Sequence, residues 1–271
     1  MTATDRPGST TDRPATTMDH PVTTTDRPVT AAALRALHHG PRLPLVLPGP
    51  WDAAAARAFS DAGFPALATP SAGIAASLGY EDGRTPPDEM FAAVARIVRS
   101  VDIPVSADVE AGYGLSAKEL VGRLMDAGAV GCNLEDTDPA TGALRDPQEQ
   151  ADWLAQVRAE AGEALVLNAR IDTYLHGVQD TGEAVRRGRL YAAAGADCVY
   201  PILAPPPELA ALAAGIGLPV NAIVTPDGPT ARELGALGAA RITFGGGLQR
   251  RTMATVAEMA ERLREELAAE G

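Results

Sequence analysis

From Leu43 to the C-terminus, short runs of β-favouring apolar residues alternate with longer Ala-rich stretches in which charged residues recur at helical spacing. The apolar runs are LPLVLPG, PALATPS, IPVSADV, VGCNLED, ALVLNAR, DCVYPIL, LPVNAIV and ARITFGG. Between them lie DAAAARAFSDAG, DEMFAAVARIVRSV, SAKELVGRLMDAG, DPQEQADWLAQVRAEAG, TGEAVRRGRLYAAAG, PPELAALAAGI and PTARELGALG, each a helix candidate, and glycine follows most of them as a C-terminal cap. Strands apolar on both faces that alternate with helices predict a parallel sheet covered by helices. About eight repeats favour a closed (β/α)8 TIM barrel over an open, doubly wound sheet. PGPWDAA, after the first run, lacks the G-x-G-x-x-G spacing, so the dinucleotide-binding alternative loses its best support. A helical pattern opens at Ala31 with AAALRALHHG, and the stretch Arg250 to Gly271 reads as a final amphipathic helix that completes the barrel or packs on another subunit.

The first thirty residues break this pattern. They repeat every seven residues as TDRPGST, TDRPATT, MDHPVTT and TDRPVTA, with proline in every copy and almost nothing apolar. Such a segment cannot bury enough surface to offset its ordering entropy, and we expect a disordered tail over residues 1–30 and a barrel domain over residues 31–271. The full chain of 271 residues suits one barrel, which takes about 250. A formal net charge of -12 argues against nucleic acid as a partner. Two cysteines, Cys132 and Cys198, both in apolar runs, argue against a disulfide framework. No apolar run approaches the roughly 20 residues that span a bilayer, so a cytoplasmic protein with no membrane partner is expected.

Chemistry concentrates in SADVEAGYG, Ser106 to Gly114. Asp108 and Glu110 stand two residues apart at the end of an apolar run, and residues i and i+2 of a strand face the same way. Paired carboxylates there need a cation or a counter-ion, unless they are simply solvated at an exposed strand end. In a barrel the active site lies at the carboxyl ends of the strands. Those ends carry Thr69, Ser71, Ala72 and Gly73, then Asp82 in the next loop; Asp108, Glu110 and Tyr113; Asn133, Glu135 and Asp136; Asn168, Arg170 and Asp172; Tyr200; Asn221 and Thr225; and Thr243 with Gly245 to Gly247. Four acids, Asp82, Asp108, Glu110 and Glu135, converge with no histidine near them in sequence, and oxygen-only ligation suits Mg2+ or Mn2+ rather than Zn2+. Arg170 is the matching cation, able to hold a substrate carboxylate in bidentate fashion or to form a purely structural network with the acids.

The Ser-containing segment after strand two, SADVEAGYG, CNLED and NAR-x-D together resemble the isocitrate lyase and phosphoenolpyruvate mutase superfamily over nearly the whole chain from about Leu43 to Gly271. The resemblance implies a (β/α)8 barrel with Mg2+, Asp108 as the direct metal ligand, and Asp82, Glu110 and Glu135 holding the metal through water. It implies that Ser71, Ala72 and Gly73 form a loop that binds substrate oxygens, that Arg170 contacts the substrate, and that Tyr113 shapes the pocket. Asp108, Arg170, Tyr113 and Glu135 are then the expected catalytic set, and Asn221 joins the expected substrate-binding set. It also implies a homo-oligomer, a tetramer or dimer, with the last helix exchanged between neighbours.

Departures from the family pattern bear on the reaction. Glu110 stands where a second aspartate is common, which keeps the charge and lengthens the arm. The loop after CNLED reads TDPATGALRDP, with neither the Lys/Arg-Cys-Gly-His motif of the lyases nor the Lys-Thr-Asn type loop of the phosphonate enzymes. Cys132 lies upstream in the strand and reads as core. Ile202 takes a strand-six position where relatives place Glu or His. What remains is the shared machinery, a Mg2+ that stabilises the enolate of a 2-oxo acid. The expected function is a C-C lyase acting on a small 2-oxo or 2-hydroxy carboxylic acid that is oxaloacetate-like, malate-like or methylisocitrate-like, with Tyr113, Asp136 or a residue of the loop as base. The alternatives are P-C bond chemistry and a non-catalytic, carboxylate-binding barrel.

Overall fold

All eight apolar runs are parallel strands in a computed structural model, which describes residues 29–40 and 44–269. The heptapeptide repeats, where a disordered tail is expected, lie outside the described residues but for the last copy's end. In chain order the elements are α1 (Ala31–Leu37), β1 (Leu45–Val46), α2 (Ala53–Asp61), β2 (Leu67–Ala68), α3 (Ser71–Leu78), α4 (Pro87–Val98) and β3 (Val105–Asp108). Then follow α5 (Ala117–Asp126), β4 (Gly131–Glu135), α6 (Pro147–Ala161), β5 (Val166–Ile171), α7 (Thr181–Ala193) and β6 (Cys198–Pro201). A short 3-10 turn (Pro206–Glu208) leads into α8 (Leu209–Ile216), β7 (Asn221–Ile223), α9 (Ala231–Ala236), β8 (Arg241–Thr243) and α10 (Gly247–Ala269).

The strands run β2-β3-β4-β5-β6 and β1-β8-β7, every pair parallel. Two junctions close the ring. The Val199–Val220 bridge joins β6 to β7, and the N–H of Ala68 donates to the carbonyl of Pro48, 3.2 Å, joining β2 to the residues after β1. The helices bury the stripes their periodicity predicts: Met90, Val94 and Ile97 of α4 and Leu120 and Leu124 of α5 join Val105, Cys132 and Leu134 in one core. Cys132 and Cys198 are free, buried thiols, and burial pushes each up to about 12.

Helix α1, capped by the Thr30 hydroxyl, plugs the barrel from below. Its Leu34 packs with Leu45 and Val166 at the amino ends of β1 and β5, and a Cβ on Gly131 would come within 3.0 Å of the Leu34 side chain. Above this plug the interior is polar: Asn168 donates to Asn133 Oδ1 at 2.7 Å, and the fully buried Arg241 donates to Ser106 Oγ and Asn133 Oδ1 at 3.3 and 3.4 Å.

Two elements differ from the sequence reading. Ser71, Ala72 and Gly73, expected in a loop, open helix α3, with Pro70 before it and Gly79 ending it at φ 86°. SAGIAASL has no charged residue and is apolar nearly all round, so it shows no amphipathic period, and it is covered on most sides. The terminal helix starts at Gly247, ahead of the expected Arg250, and buries only Gln249. From Arg250 to Ala269 it is exposed along its whole length, so it does not complete this barrel.

Candidate active site

The acid cluster sits where β3 gives out. Asp108 is its last residue, so Glu110 lies beyond the strand and does not share a pleated face with it, as the i, i+2 spacing had suggested. The backbone supplies the turn instead: Glu110 and Tyr113 adopt φ 52° and 56°, a left-handed conformation that costs about 1 kcal/mol or more for a side-chain-bearing residue. Asp108 Oδ2 accepts from Ser71 N at 3.3 Å and Ser71 Oγ at 2.9 Å, which ties the acid to the first turn of α3. Glu110 Oε1 and Tyr113 Oη are buried and have no hydrogen-bond partner among the described residues. Burial, then the charges of Asp108 and Asp82, pushes Glu110 up to about 7. Burial and the adjacent acids hold the Tyr113 hydroxyl well above the usual phenol range, which keeps it neutral and removes it as a ready base.

Next along the rim, β4 ends in Glu135, whose register partner on β5 is Arg170. Arg170 Nη1 pairs with Glu135 Oε2 at 2.6 Å, while Nε and Nη2 fork onto Asp172 Oδ1 and Oδ2 at 2.7 and 3.3 Å. Burial opposes the guanidinium charge, but Asp172 and Glu135 outweigh it and raise its pKa. Glu135 is pushed up to about 8, by burial first, with Arg170 pulling the other way. Asp136 is fully buried and turned outward from this group. Its carboxylate accepts from Arg187 Nη1 at 2.9 Å, Tyr191 Oη at 2.7 Å and the N–H of Asp172 at 2.8 Å. With three donors on it, Asp136 is a structural anchor and not a free base.

Asp82 stands at the exposed rim, and partial burial of its carboxyl together with the Asp108 charge raises its pKa. Ser71 and Gly73 are buried in the first turn of α3, with Ala72 between them half-buried. Asn221 is fully buried on β7: its amide donates to Thr243 Oγ1 at 2.9 Å and to the Ala222 carbonyl at 3.0 Å, and its Oδ1 has no hydrogen-bond partner among the described residues. Two residues absent from the sequence-based site set, Thr137 and His176, lie beside Asp172. Thr137 Oγ1 is 2.5 Å from Asp172 Oδ2 and 2.9 Å from His176 Nε2. Asp172 at a strand end was the one sequence signal pointing to them.

Whether these acids suit a cation can be judged from their surroundings. Among the described residues, no three His, Cys, Asp or Glu side chains form a closed ligand cage. Asp108 nevertheless lies near enough to raise the pKa of Asp82, Glu110 and Glu135, and Glu110 Oε1 is buried with no hydrogen-bond partner among the described residues. An open, oxygen-only set of this kind fits Mg2+, which keeps several of its waters and takes one or two carboxylates directly. Asp108, Glu110, Glu135 and Asp82 are the residues that would hold it.

The family model described as phosphoenolpyruvate phosphomutase matches residues 34–264. Among curated proteins, the chain is 36% identical over 211 residues to the uncharacterized protein Rv1998c of Mycobacterium tuberculosis, covering 77% of this chain and 80% of that one. It is 34% identical over 210 residues to the "Probable 2-methylisocitrate lyase 2" of Corynebacterium glutamicum, covering 73% and 67%. Among solved structures it is similar to "a putative phosphonomutase" from Burkholderia cenocepacia, at 38% identity and a TM-score of 0.80, covering 86% of this chain and 99% of that one. The chain therefore belongs to the phosphoenolpyruvate phosphomutase family, within the isocitrate lyase and phosphoenolpyruvate mutase superfamily of lyases and mutases that act on small carboxylic acids.

Proposed function

We propose that this chain is a Mg2+-dependent lyase that cleaves a C-C bond of a small 2-oxo or 2-hydroxy carboxylic acid. The observation that carries the reading is the group of four acids, Asp82, Asp108, Glu110 and Glu135, beside Arg170, with Glu110 Oε1 buried and unpartnered at its centre. The Mg2+ is supported by a phosphonopyruvate hydrolase solved with oxalate and Mg2+, 25% identical with a TM-score of 0.79, and the C-C cleavage by a 2,3-dimethylmalate lyase, 27% identical with a TM-score of 0.78. When bound, Mg2+ would act as a Lewis acid that draws electron density from the 2-oxo or 2-hydroxy group.

The chain's own residues supply the rest. Arg170 offers a planar fork to the substrate carboxylate, in exchange for contacts it now makes with Glu135. The N–H groups of Ala72 and Gly73, at the positive end of the α3 dipole, suit a second oxygen of the same anion. Ser71 orients Asp108 through its hydroxyl. The neutral Tyr113 hydroxyl, unpartnered beside Glu110, can donate to a substrate oxygen.

P-C bond chemistry is the second reading, favoured by the similarity to the Burkholderia protein. Against it, the loop after β4 carries neither lysine nor histidine, and its single arginine, Arg145, donates to Gln150 Oε1 at 3.1 Å. The chemistry is decided by incubating the protein with Mg2+ and oxaloacetate, substituted malates, methylisocitrate or phosphonopyruvate. Release of pyruvate or another 2-oxo acid without phosphate supports the lyase; phosphate release, or conversion of phosphonopyruvate to phosphoenolpyruvate, supports the alternative; tight binding of oxalate with no turnover of any acid supports a barrel that only binds.

We also propose that the chain assembles as a homo-oligomer, a dimer or tetramer, through α10. Met253, Val256, Met259, Leu263 and Leu267 follow one another at steps of three or four residues and are 43–75% exposed, an apolar stripe that this barrel leaves in water.

A further inference from the structure

We propose that His176 and Thr137 are positioning residues for Arg170, acting through Asp172. This rests on the reading of Arg170 as the residue that holds the substrate carboxylate. The chain of contacts runs from the protein surface inward: His176 Nε2 to Thr137 Oγ1 at 2.9 Å, Thr137 Oγ1 to Asp172 Oδ2 at 2.5 Å, and Asp172 Oδ1 to Arg170 Nε at 2.7 Å.

Proton counting fixes its direction. Asp172, fully buried and forked onto a guanidinium, is an acceptor only. The single Thr137 hydroxyl proton therefore goes to Asp172, and Thr137 Oγ1 is left to accept. His176 must then carry its proton on Nε2. The other neutral tautomer, protonated on Nδ1, would turn Nε2 into an acceptor competing with Asp172 for the same hydroxyl proton, and would free one oxygen of Asp172 to swing off Arg170.

The backbone is built for this contact. The N–H of His176 donates to the carbonyl of Asp172 at 3.0 Å, a helical turn that returns the imidazole over Asp172. Thr137 is fixed from the neighbouring loop by its bridge to Leu144. His176 is also the only histidine on the strand-carboxyl side among the described residues, because His38 and His39 belong to the α1 end. Thr137 and His176, 39 residues apart, thus join two loops above Arg170.

Two measurements on the full-length protein test the relay. Long-range 1H–15N NMR of the His176 ring should show a proton on Nε2 in the wild type and its tautomer balance altered in Thr137→Val; a wild-type ring protonated on Nδ1 alone overturns the proposal, whatever the enzyme's substrate. With Mg2+ and the acid that is turned over, His176→Ala and Thr137→Val should each raise KM about tenfold while kcat changes less than about twofold. The double variant should be no worse than either single one, and His176→Gln, which keeps a donor, should recover most of the loss. Equal KM in wild type and His176→Ala, at unchanged melting temperature, also overturns it. Where no acid is turned over, the Kd of oxalate in Mg2+ replaces KM with the same expected pattern. Failure of the lyase reading is separate: it shows as phosphate release or as no turnover of any acid, and it leaves the imidazole signal and the oxalate Kd as the tests of the contact chain.

Discussion

Arg170 directs all three guanidinium nitrogens at two carboxylates, Nη1 at Glu135 and the Nε/Nη2 fork at Asp172. Asp172 is the fixed support and Glu135 the partner that a substrate carboxylate or a cation can displace. A lysine keeps one charge but cannot fork, so Arg170→Lys should raise KM at least about tenfold. An unchanged KM would count against the clamp. At the opposite end of the barrel, His38 is buried beneath Arg241, its Nδ1 on the Leu34 carbonyl, and burial followed by the Arg241 charge lowers it to about 4. Its folded pKa is thus depressed below the unfolded value near 6.5, so the unfolded state binds more protons between those limits and stability falls as pH drops through that window. The loss by pH 4 should be about 3 kcal/mol. Urea titrations at pH 7 and pH 4 of the wild type and His38→Gln should differ by about that amount, and identical pH dependence in the two would remove this assignment. Individual charged residues of the site were legible as strand-end residues, since Asp108, Glu135 and Arg170 each stand at or next to the end of a strand. The Thr137 and His176 contacts were not, because they depend on how two loops 39 residues apart fold back over Asp172.

At the scale of elements, period and capping carried most of the information. Each of the eight runs is a strand, because β-branched and apolar residues bounded by glycine and proline leave little choice, and the amphipathic stretches between them are the covering helices. Where those signals are missing, the pattern does not report the element. Helix α3 has no polar stripe to betray it, and the end of β3 is set by the left-handed backbone at Glu110, which side-chain alternation does not report. The placement of Asp136 also belongs here. It had counted as a base candidate, yet it joins β4, β5 and α7 through Asp172, Arg187 and Tyr191. Arg187→Met leaves that buried carboxylate without its counter-charge and should lower stability by about 3 kcal/mol, with little change in the kcat of the protein that remains folded. A stable variant with collapsed kcat would return Asp136 to the chemistry.

For the whole molecule, the barrel is closed by short strands, plugged below by α1 and open above at the acids, while α10 stands clear of it. The exposed stripe on α10 predicts assembly, and charge on it should break that assembly: Met259→Glu with Leu263→Glu should reduce the mass seen by light scattering from a dimer or tetramer to one chain, whereas a wild type that is already monomeric would contradict the oligomer. The central claim is that a divalent cation at Asp108 serves the cleavage of a small 2-oxo or 2-hydroxy acid. It is tested most directly by following 2-oxo acid release from the panel of carboxylic acids, with Mg2+ or EDTA, in the wild type and in Asp108→Ala. Release that requires Mg2+ and falls at least about a hundredfold in folded Asp108→Ala is the predicted result; release that persists in EDTA or in Asp108→Ala would contradict it.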